Sequence, residues 1–404
     1  MFDGLIARAP IYTRNLDVYG YELRFCSGEA LHEGVPDDEE RLGECLLQAS
    51  RELKLADITG QNRALILLTS PLLPLCIDVR WPREKIVLAV PDSPNGDPVL
   101  REAASRLAHE GYTIALHNPS RDPAALNGDA DFASICSLDA NASSRFLAPS
   151  IPGVGPRRLH LLVRELENAD QYDHFRRLGF DFFEGDFFSR PRLLHGTEIP
   201  ANRLGVLQLI AHLQNPSANI QEVEDLVRRD LTLSYKLLRL INSAYFGLPK
   251  RVESIRRAVV FYGLQRIKNW AIVLLVNAVD FSPRELLTTA MVRARTCELL
   301  AMELGRDPSE PYYLAGLFSL LDAIMDAPMA QILERLNLTE HLNLALLDGS
   351  GPIGEVLGTA LAFETGDFQK ASCLRFGKEF VPMSAYLDAI RWASEVTRLI
   401  RSER

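Results

Sequence analysis

The feature that most constrains this chain is a change of hydrophobic period near residue 195. Ahead of it, short apolar runs rich in β-branched residues alternate with longer stretches of helical spacing. The runs fall at 5–12, 19–25, 64–68, 86–90, 112–116, 132–136 and 159–163, with a short aromatic segment at 180–188. Helical spacing covers 37–53 and 97–110, and acids sit in the first turn of the former, where they suit the helix dipole. Strand–helix alternation of this length argues for a parallel sheet, because parallel neighbours need a crossover long enough to hold a helix. The number of units suits a closed TIM-like (β/α) barrel over residues 1–195.

After a proline-bracketed linker at 191–200, PRLLHGTEIP, the character changes. Apolar residues recur at helical spacing over 201–213, 220–229, 231–245, 255–261, 264–279, 285–304, 312–325 and 386–400. Breaks fall at Asn215-Pro216, Gly247-Leu248-Pro249, Gly263, Ser282-Pro283 and Gly349-Ser350-Gly351-Pro352. No strand pattern, internal repeat or low-complexity tract stands out. The fold class is therefore α/β plus all-α, with an all-helical second domain over 196–404.

Composition narrows the function classes. With 47% hydrophobic residues, each half can bury a core, and disorder is excluded as a general description. The longest strongly apolar run, 270–276, is far short of the ~20 residues a membrane span needs. The start, MFDGLIARAP, lacks a basic segment followed by a long apolar core, so no signal peptide is expected. Six cysteines at 26, 45, 76, 136, 297 and 373 show no CxxC spacing, which suits buried free thiols in a cytoplasmic protein. The net charge of −9 sits in the first half: residues 1–199 hold 21 Lys/Arg against 30 Asp/Glu, and 200–404 hold 23 of each. An acidic barrel argues against a nucleic-acid grip there. One basic stretch breaks the neutrality of the second half: Lys250, Arg251, Arg256, Arg257, Arg266 and Lys268 against Glu253 alone. It is either a solvated face or a docking surface for an acidic partner. Nucleic acid is not expected, since exposed aromatics are not interleaved with it.

In a barrel the chemistry sits just past the C-terminal ends of the strands. The run at 112–116 ends abruptly in His117-Asn118-Pro119. A histidine and an amide beside one glutamate could ligate a softer metal, but no second histidine falls at a neighbouring strand end. A histidine hydrogen-bonded within a polar turn is the expectation.

Several segments resemble the EAL family of cyclic-di-GMP phosphodiesterases, over nearly all of residues 1–195. The best match is Leu178-Gly179-Phe180-Asp181-Phe182-Phe183-Glu184-Gly185 with Pro191 following, and Gly20-Tyr21-Glu22-Leu23 is similar to the motif that names the family, with leucine in place of alanine. The family's reaction is metal-assisted hydrolysis, which needs several carboxylates at separate strand ends. By the resemblance, Leu67 replaces a metal-binding asparagine and Ala89 a metal-binding glutamate. His117 and Asn118 replace paired aspartates, Ser134 a catalytic lysine, Arg164 a later glutamate, and Cys26 a phosphate-holding arginine. Glu22 alone remains among the carboxylates aligned with the metal site, and Glu184 lies in the closing segment.

Residues 200–203, Leu238-Arg239-Leu240-Ile241-Asn242-Ser243-Ala244-Tyr245-Phe246-Gly247 and the segment 255–270 resemble the HDOD domain, which is similar in fold to HD phosphohydrolases without their metal site. Ser319-Leu320 stand where the His-Asp pair would be, and that dipeptide occurs nowhere in the chain. Asn242-Ser243 suits a helix-end packing and capping role.

An EAL-like half followed by HDOD resembles a two-domain bacterial signalling group with both halves degenerate. The resemblance implies regulation by contact in cyclic-di-GMP-linked control. The expectation is therefore a protein that is no enzyme, holds no metal or cofactor, and acts as a scaffold for other signalling proteins. The alternative is a receptor that binds cyclic-di-GMP without cutting it, for which Arg24 and Arg164 would have to face the barrel mouth.

Overall fold

The computed structural model describes residues 4–28, 30, 38–91, 98–118, 132–143, 159–189, 199, 201–215, 217–243, 252–279, 283–371, 375–376, 379–380 and 383–401. Eight strands close a barrel in sequence order: β1 Gly4–Thr13, β2 Val18–Ser27, β3 Arg63–Leu67, β4 Ile86–Pro91, β5 Thr113–His117, β6 Ala133–Asp139, β7 His160–Leu166 and β8 Phe182–Gly185. Each matches an expected run to within a few residues at its ends. Only the turn through Arg14 and Asp17 separates β1 from β2, too little chain for a parallel crossover, so the pair is antiparallel. That reversal makes β1 antiparallel to β8 as well, while β2 through β8 run parallel.

Helices supply several of the crossovers. Glu39–Glu52 begins at Asp38, whose side chain accepts from Arg41 N, and Ala169–Arg177 begins at Asn168, which accepts from Gln171 N. Both are the short polar caps that satisfy orphan backbone N–H groups. Inside the barrel, side-chain alternation brings Ile11, Leu65, Val87, Ala89, Ala115, Ile135 and Leu162 into one buried apolar cluster. A second cluster gathers Tyr12, Tyr172, Phe175, Phe180, Phe183 and Phe187 around β7 and β8, with Tyr172 and Phe187 stacked at 5.2 Å. Fully burying one such side chain contributes about 1.5–3 kcal/mol. Gly185 closes β8 at φ +140°, and a Cβ there would strike the Leu166 backbone, so no larger residue fits that strand end.

The chain divides into two compact units. The first is Met1–Phe188 with Leu361–Met383; the second is Ser189–Ala360 with Ser384–Arg404. The sequence pattern places all of 196–404 in the helical domain, whereas 361–383 group with the barrel. Within that returning segment, Arg375–Phe376 and Glu379–Phe380 pair as a two-stranded hairpin, a strand element the sequence pattern does not suggest. Expected linker residues 191–200 lie outside the described residues except Ile199.

The second unit is helical, including Ala201–Gln214, Ile220–Arg229, Leu231–Ile241, Ile255–Tyr262, Leu264–Ala278, Glu285–Glu303 and Met383–Arg401. The helix expected over 312–325 is two, Glu310–Phe318 and Leu321–Met325. It breaks where the Ser319 hydroxyl donates back to Gly316 O at 2.8 Å, competing with the backbone ladder. Glu310–Phe318 packs tightly on Glu285–Glu303: a Cβ on Gly316 would lie 2.5 Å from Ala294 Cα. Further helices, Met329–Leu336, Glu340–Asp348 and Gly351–Thr365, lie beyond those the spacing predicts.

Candidate functional site

On each strand, alternation that buries the apolar cluster puts the next inward residue toward the C-terminal end of the parallel strands. These positions are Glu22 and Arg24 on β2, His117 on β5, Asp139 on β6, Arg164 on β7 and Glu184 on β8. Strand pairing sets Asp139 beside Arg164. The result is a charged layer lying on an apolar floor.

Arg164 is its hub. It is only 4% exposed, and its guanidinium grips Glu22 bidentately, Nε to Oε2 at 3.0 Å and Nη2 to Oε1 at 2.8 Å. The same group reaches Asp139 Oδ1 at 3.4 Å and Glu184 Oε2 at 4.0 Å. Its Nη1 also faces the His117 ring, 3.2 Å from Nδ1. A guanidinium can only donate, so the imidazole accepts and is neutral. Burial first, and then the Arg164 charge, hold His117 below the usual histidine range, against the opposing pull of Asp139 and Glu22.

Arg24 makes a second bridge nearer solvent. Its side chain is 40% exposed, with Nε 2.9 Å from Glu22 and Nη2 3.8 Å from Glu184. Burial works against its charge, but Glu22 and Glu184 outweigh it and raise the group. Arg24 Nη1 donates to Thr365 O at 3.3 Å, so the returning segment supports this side of the layer. Glu184 is buried and accepts from Glu165 N at 3.1 Å; burial and the neighbouring Glu22 charge push its carboxyl up to about 7. Asn118 adopts the left-handed conformation at φ +42°, which asparagine tolerates. Its side chain clamps Asp139, accepting from Asp139 N at 2.8 Å and donating to Oδ2 at 2.5 Å.

Of the positions singled out in sequence, the structure brings together Glu22, His117, Arg164 and Glu184, with Asn118 behind Asp139. Ala89 lies in the apolar floor and is fully buried, and Leu67 is 38% exposed at the end of β3. Ser134 is exposed near the beginning of β6, at the opposite end from Asp139, and is no member of the layer. Cys26 is half-buried, its thiol against Ser27 O at 3.6 Å. Asp139 escapes the sequence pattern because the apolar run ends at Cys136, whereas the strand alternation continues through buried Ser137.

The two-metal centre implied by the resemblance needs carboxylate oxygens from several strand ends, free to face an ion. Arg164 instead lies among the three carboxylates, and Leu67 and Ala89 offer no donor atom. No group of three or more His, Cys, Asp or Glu side chains among the described residues is placed to hold a metal ion. The residues present do not fit that group.

In the helical domain, the Ser319 hydroxyl accepts from Arg293 Nη1 at 3.1 Å, and Leu320 is fully buried, so both are packed into the fold. Asn242 ties the end of its helix to Val252, with its amide accepting from Val252 N and donating to Val252 O, both at 2.7 Å. Among its described residues the basic stretch is not uniformly exposed. Lys250 and Arg251 lie outside the described residues. Lys268 is buried and donates to Asn215 O at 3.1 Å, and burial lowers its pKa. Arg256 is exposed but held by Glu224 at 3.4 Å and by Gln221, which leaves Arg257 and Arg266 as the exposed cations of the stretch with no ion pair among the described residues.

Residues 199–337 match the HDOD domain model. That stretch is about a third of the chain, and the closed eight-stranded barrel precedes it in sequence. The chain is 28% identical over 412 residues to the cyclic di-GMP phosphodiesterase CdgJ of Vibrio cholerae, covering 99% of this chain and 94% of that one. It is 26% identical over 400 residues to the uncharacterized protein YuxH of Bacillus subtilis, covering 96% and 97%. Among solved structures, the FimX EAL domain of Pseudomonas aeruginosa bound to c-di-GMP aligns at 13% identity and a TM-score of 0.34, over 46% of this chain and 89% of that one.

The full-length relative named as a phosphodiesterase overturns the expectation that this chain is no enzyme. That expectation rests on too short an inventory of acids. Sequence alone leaves Glu22 without carboxylate company, whereas Asp139 and Glu184 both converge on the hub that holds it. No helix among the described residues is long and apolar enough to cross a membrane.

Proposed function

We propose that this protein works in cyclic-di-GMP signalling and that its barrel mouth engages the dinucleotide. The observation that carries the reading is the pair of guanidiniums, Arg24 and Arg164, on the inward face of the strand ends around Glu22 and Glu184. From that face partly exposed Arg24 can offer a phosphate donors that the Cys26 side chain does not, while buried Arg164 holds Glu22 in place. A phosphodiester anion approaching partly exposed Arg24 competes for a guanidinium that is already oriented, and Arg–phosphate pairs are among the stronger charge-assisted hydrogen bonds. The name of the full-length Vibrio cholerae relative supports the same ligand class.

Calorimetry with cyclic-di-GMP on the full chain tests this. Saturable heat is expected, weakened at least about tenfold in Arg24→Ala, the equivalent of ~1.4 kcal/mol. No heat at millimolar nucleotide would dismiss the reading. Following product formation in the same samples, with magnesium or manganese added, reports whether the bound dinucleotide is cut.

A second reading, output through contact with other signalling proteins, is favoured by an apolar exposure in the helical domain. Val260 is 77% and Phe261 55% exposed at the end of Ile255–Tyr262. Co-purification that survives Val260→Glu and Phe261→Glu would remove this support.

A further inference from the structure

The helical domain holds a cavity of about 190 Å³ that has no part in the barrel mouth. Its aromatic lining comes from four helices. Tyr262 and Trp270 meet edge to face with centroids 5.1 Å apart, as do Tyr313 and Trp392 at 6.4 Å. Trp270, Tyr313 and Trp392 are each less than a tenth exposed, so their rings belong to the interior and not to an open surface.

The polar groups on this lining are unevenly balanced. Arg295 is neutralised by Glu298 at 2.5 Å. Arg266 also lines the cavity, is exposed at its rim, and makes no ion pair with any described residue. The buried Tyr313 hydroxyl has no hydrogen-bond partner among the described residues. Burial and the nearby Glu298 charge raise its pKa, so the phenol keeps its proton and offers a donor at neutral pH. Asn269 Oδ1 is occupied by Gln265 Nε2 at 3.4 Å, so its remaining capacity is mainly as a donor. Several buried polar atoms of this domain lack a partner, but among the described residues only the Tyr313 hydroxyl belongs to the cavity lining, where a ligand could satisfy it.

We propose that this cavity binds a planar aromatic ring carrying an anionic group. The aromatic walls accept the flat ring. Tyr313 donates to an acceptor on it, and Arg266 holds the anionic group at the rim. A cavity of this size admits a nucleobase or a single substituted ring, and not a whole dinucleotide. A mononucleotide and an aromatic carboxylate share this chemistry. The site lies in the helical domain and is independent of what the barrel mouth binds.

Tryptophan fluorescence of the full chain tests it, because two of the three tryptophans line the cavity. AMP, GMP and indole-3-carboxylate are titrated separately, with inorganic phosphate as the ring-free control. At least one ring-bearing anion should change the emission saturably, and the tighter binder identifies the source. Arg266→Glu, on an exposed side chain that leaves folding intact by circular dichroism, should weaken binding more than tenfold. Tyr313→Phe should weaken it about five- to tenfold, the worth of one hydrogen bond. Absence of a saturable change up to about 10 mM, where a site with a Kd of ~1 mM would be nine-tenths filled, would overturn the proposal. So would equal binding by Arg266→Glu, or an equal response to phosphate alone.

Discussion

Removing the hub of the charged layer should expose how much of its stability is electrostatic. In Arg164→Ala, buried Glu22 loses a bidentate partner at 2.8 and 3.0 Å, and buried Glu184 loses a cation at 4.0 Å. Breaking a buried pair by deleting one partner costs about 3–5 kcal/mol, chiefly because a charge is stranded. Arg24 still contacts Glu22 at 2.9 Å but is 40% exposed, which places the loss toward ~3 kcal/mol at pH 8. For a barrel of this size that is a fall of about 6–12 °C in its melting transition. At pH 5 the stranded carboxylates can take up protons, so the deficit should shrink to the packing of the lost side chain. Arg164→Met, which keeps the stem, isolates the charge: at pH 8 its deficit should be smaller than that of Arg164→Ala by the packing of the stem, and at pH 5 it should approach wild type. Thermal melts followed by circular dichroism at the two pH values make the comparison. Equal deficits at both pH values in both variants would refute the electrostatic account.

Other tests address neighbouring features. Glu184 holds its proton up to about 7, above the ordinary value of 4.5, so its stabilising contribution is full below pH 4.5 and is lost as pH rises through 7. Glu184→Gln should remove that dependence, a difference of at most about 3 kcal/mol across the window, read by urea denaturation at pH 5 and 8. His117 is shifted the other way, so its contribution is present above pH 6.5 and is lost as pH falls through its lowered folded value. NMR of the ring should show it mostly neutral at pH 6.5, and its titration should move up in Arg164→Ala. Gly316→Ala should destabilise the helical domain by about 1–3 kcal/mol or more, because the added Cβ meets the Ala294 backbone at 2.5 Å; an unchanged melt would contradict the close packing. The Cys297 thiol, pushed up to about 12 by burial, should resist maleimide at pH 7 until the chain unfolds.

The barrel is legible in the sequence because its strands carry dense β-branched and apolar runs that local pattern alone reveals, as at Ile86–Pro91. Strand ends are less legible. Ser137 reads as polar and terminating, yet pairing with His117 and the buried interior carries β6 on to Asp139. Arg164 reads in the sequence as the replacement of a later glutamate; only the fold shows that it binds Glu22. Helix Gly351–Thr365 escapes because Gly351, Gly354 and Gly358 weaken local propensity, and tertiary burial of residues such as Val356 decides the matter. The hairpin at 375–380 has two-residue strands, too short to carry a period. The grouping of 361–383 with the barrel is a long-range relation that no local spacing encodes.

That last relation also orders events during synthesis. A ribosome makes the eight strands first, then all of 189–360, and only then the segment whose Thr365 carbonyl receives Arg24. At about 5–20 residues per second, the nascent barrel waits roughly 10–35 s for its final piece. During that interval Arg24 is short of one anchor while Glu22 and Glu184 are already in place. The first domain to begin translation is thus completed only after most of the second has been made, and a chain stopped anywhere before 361 would display a barrel with its arginine rim unfinished.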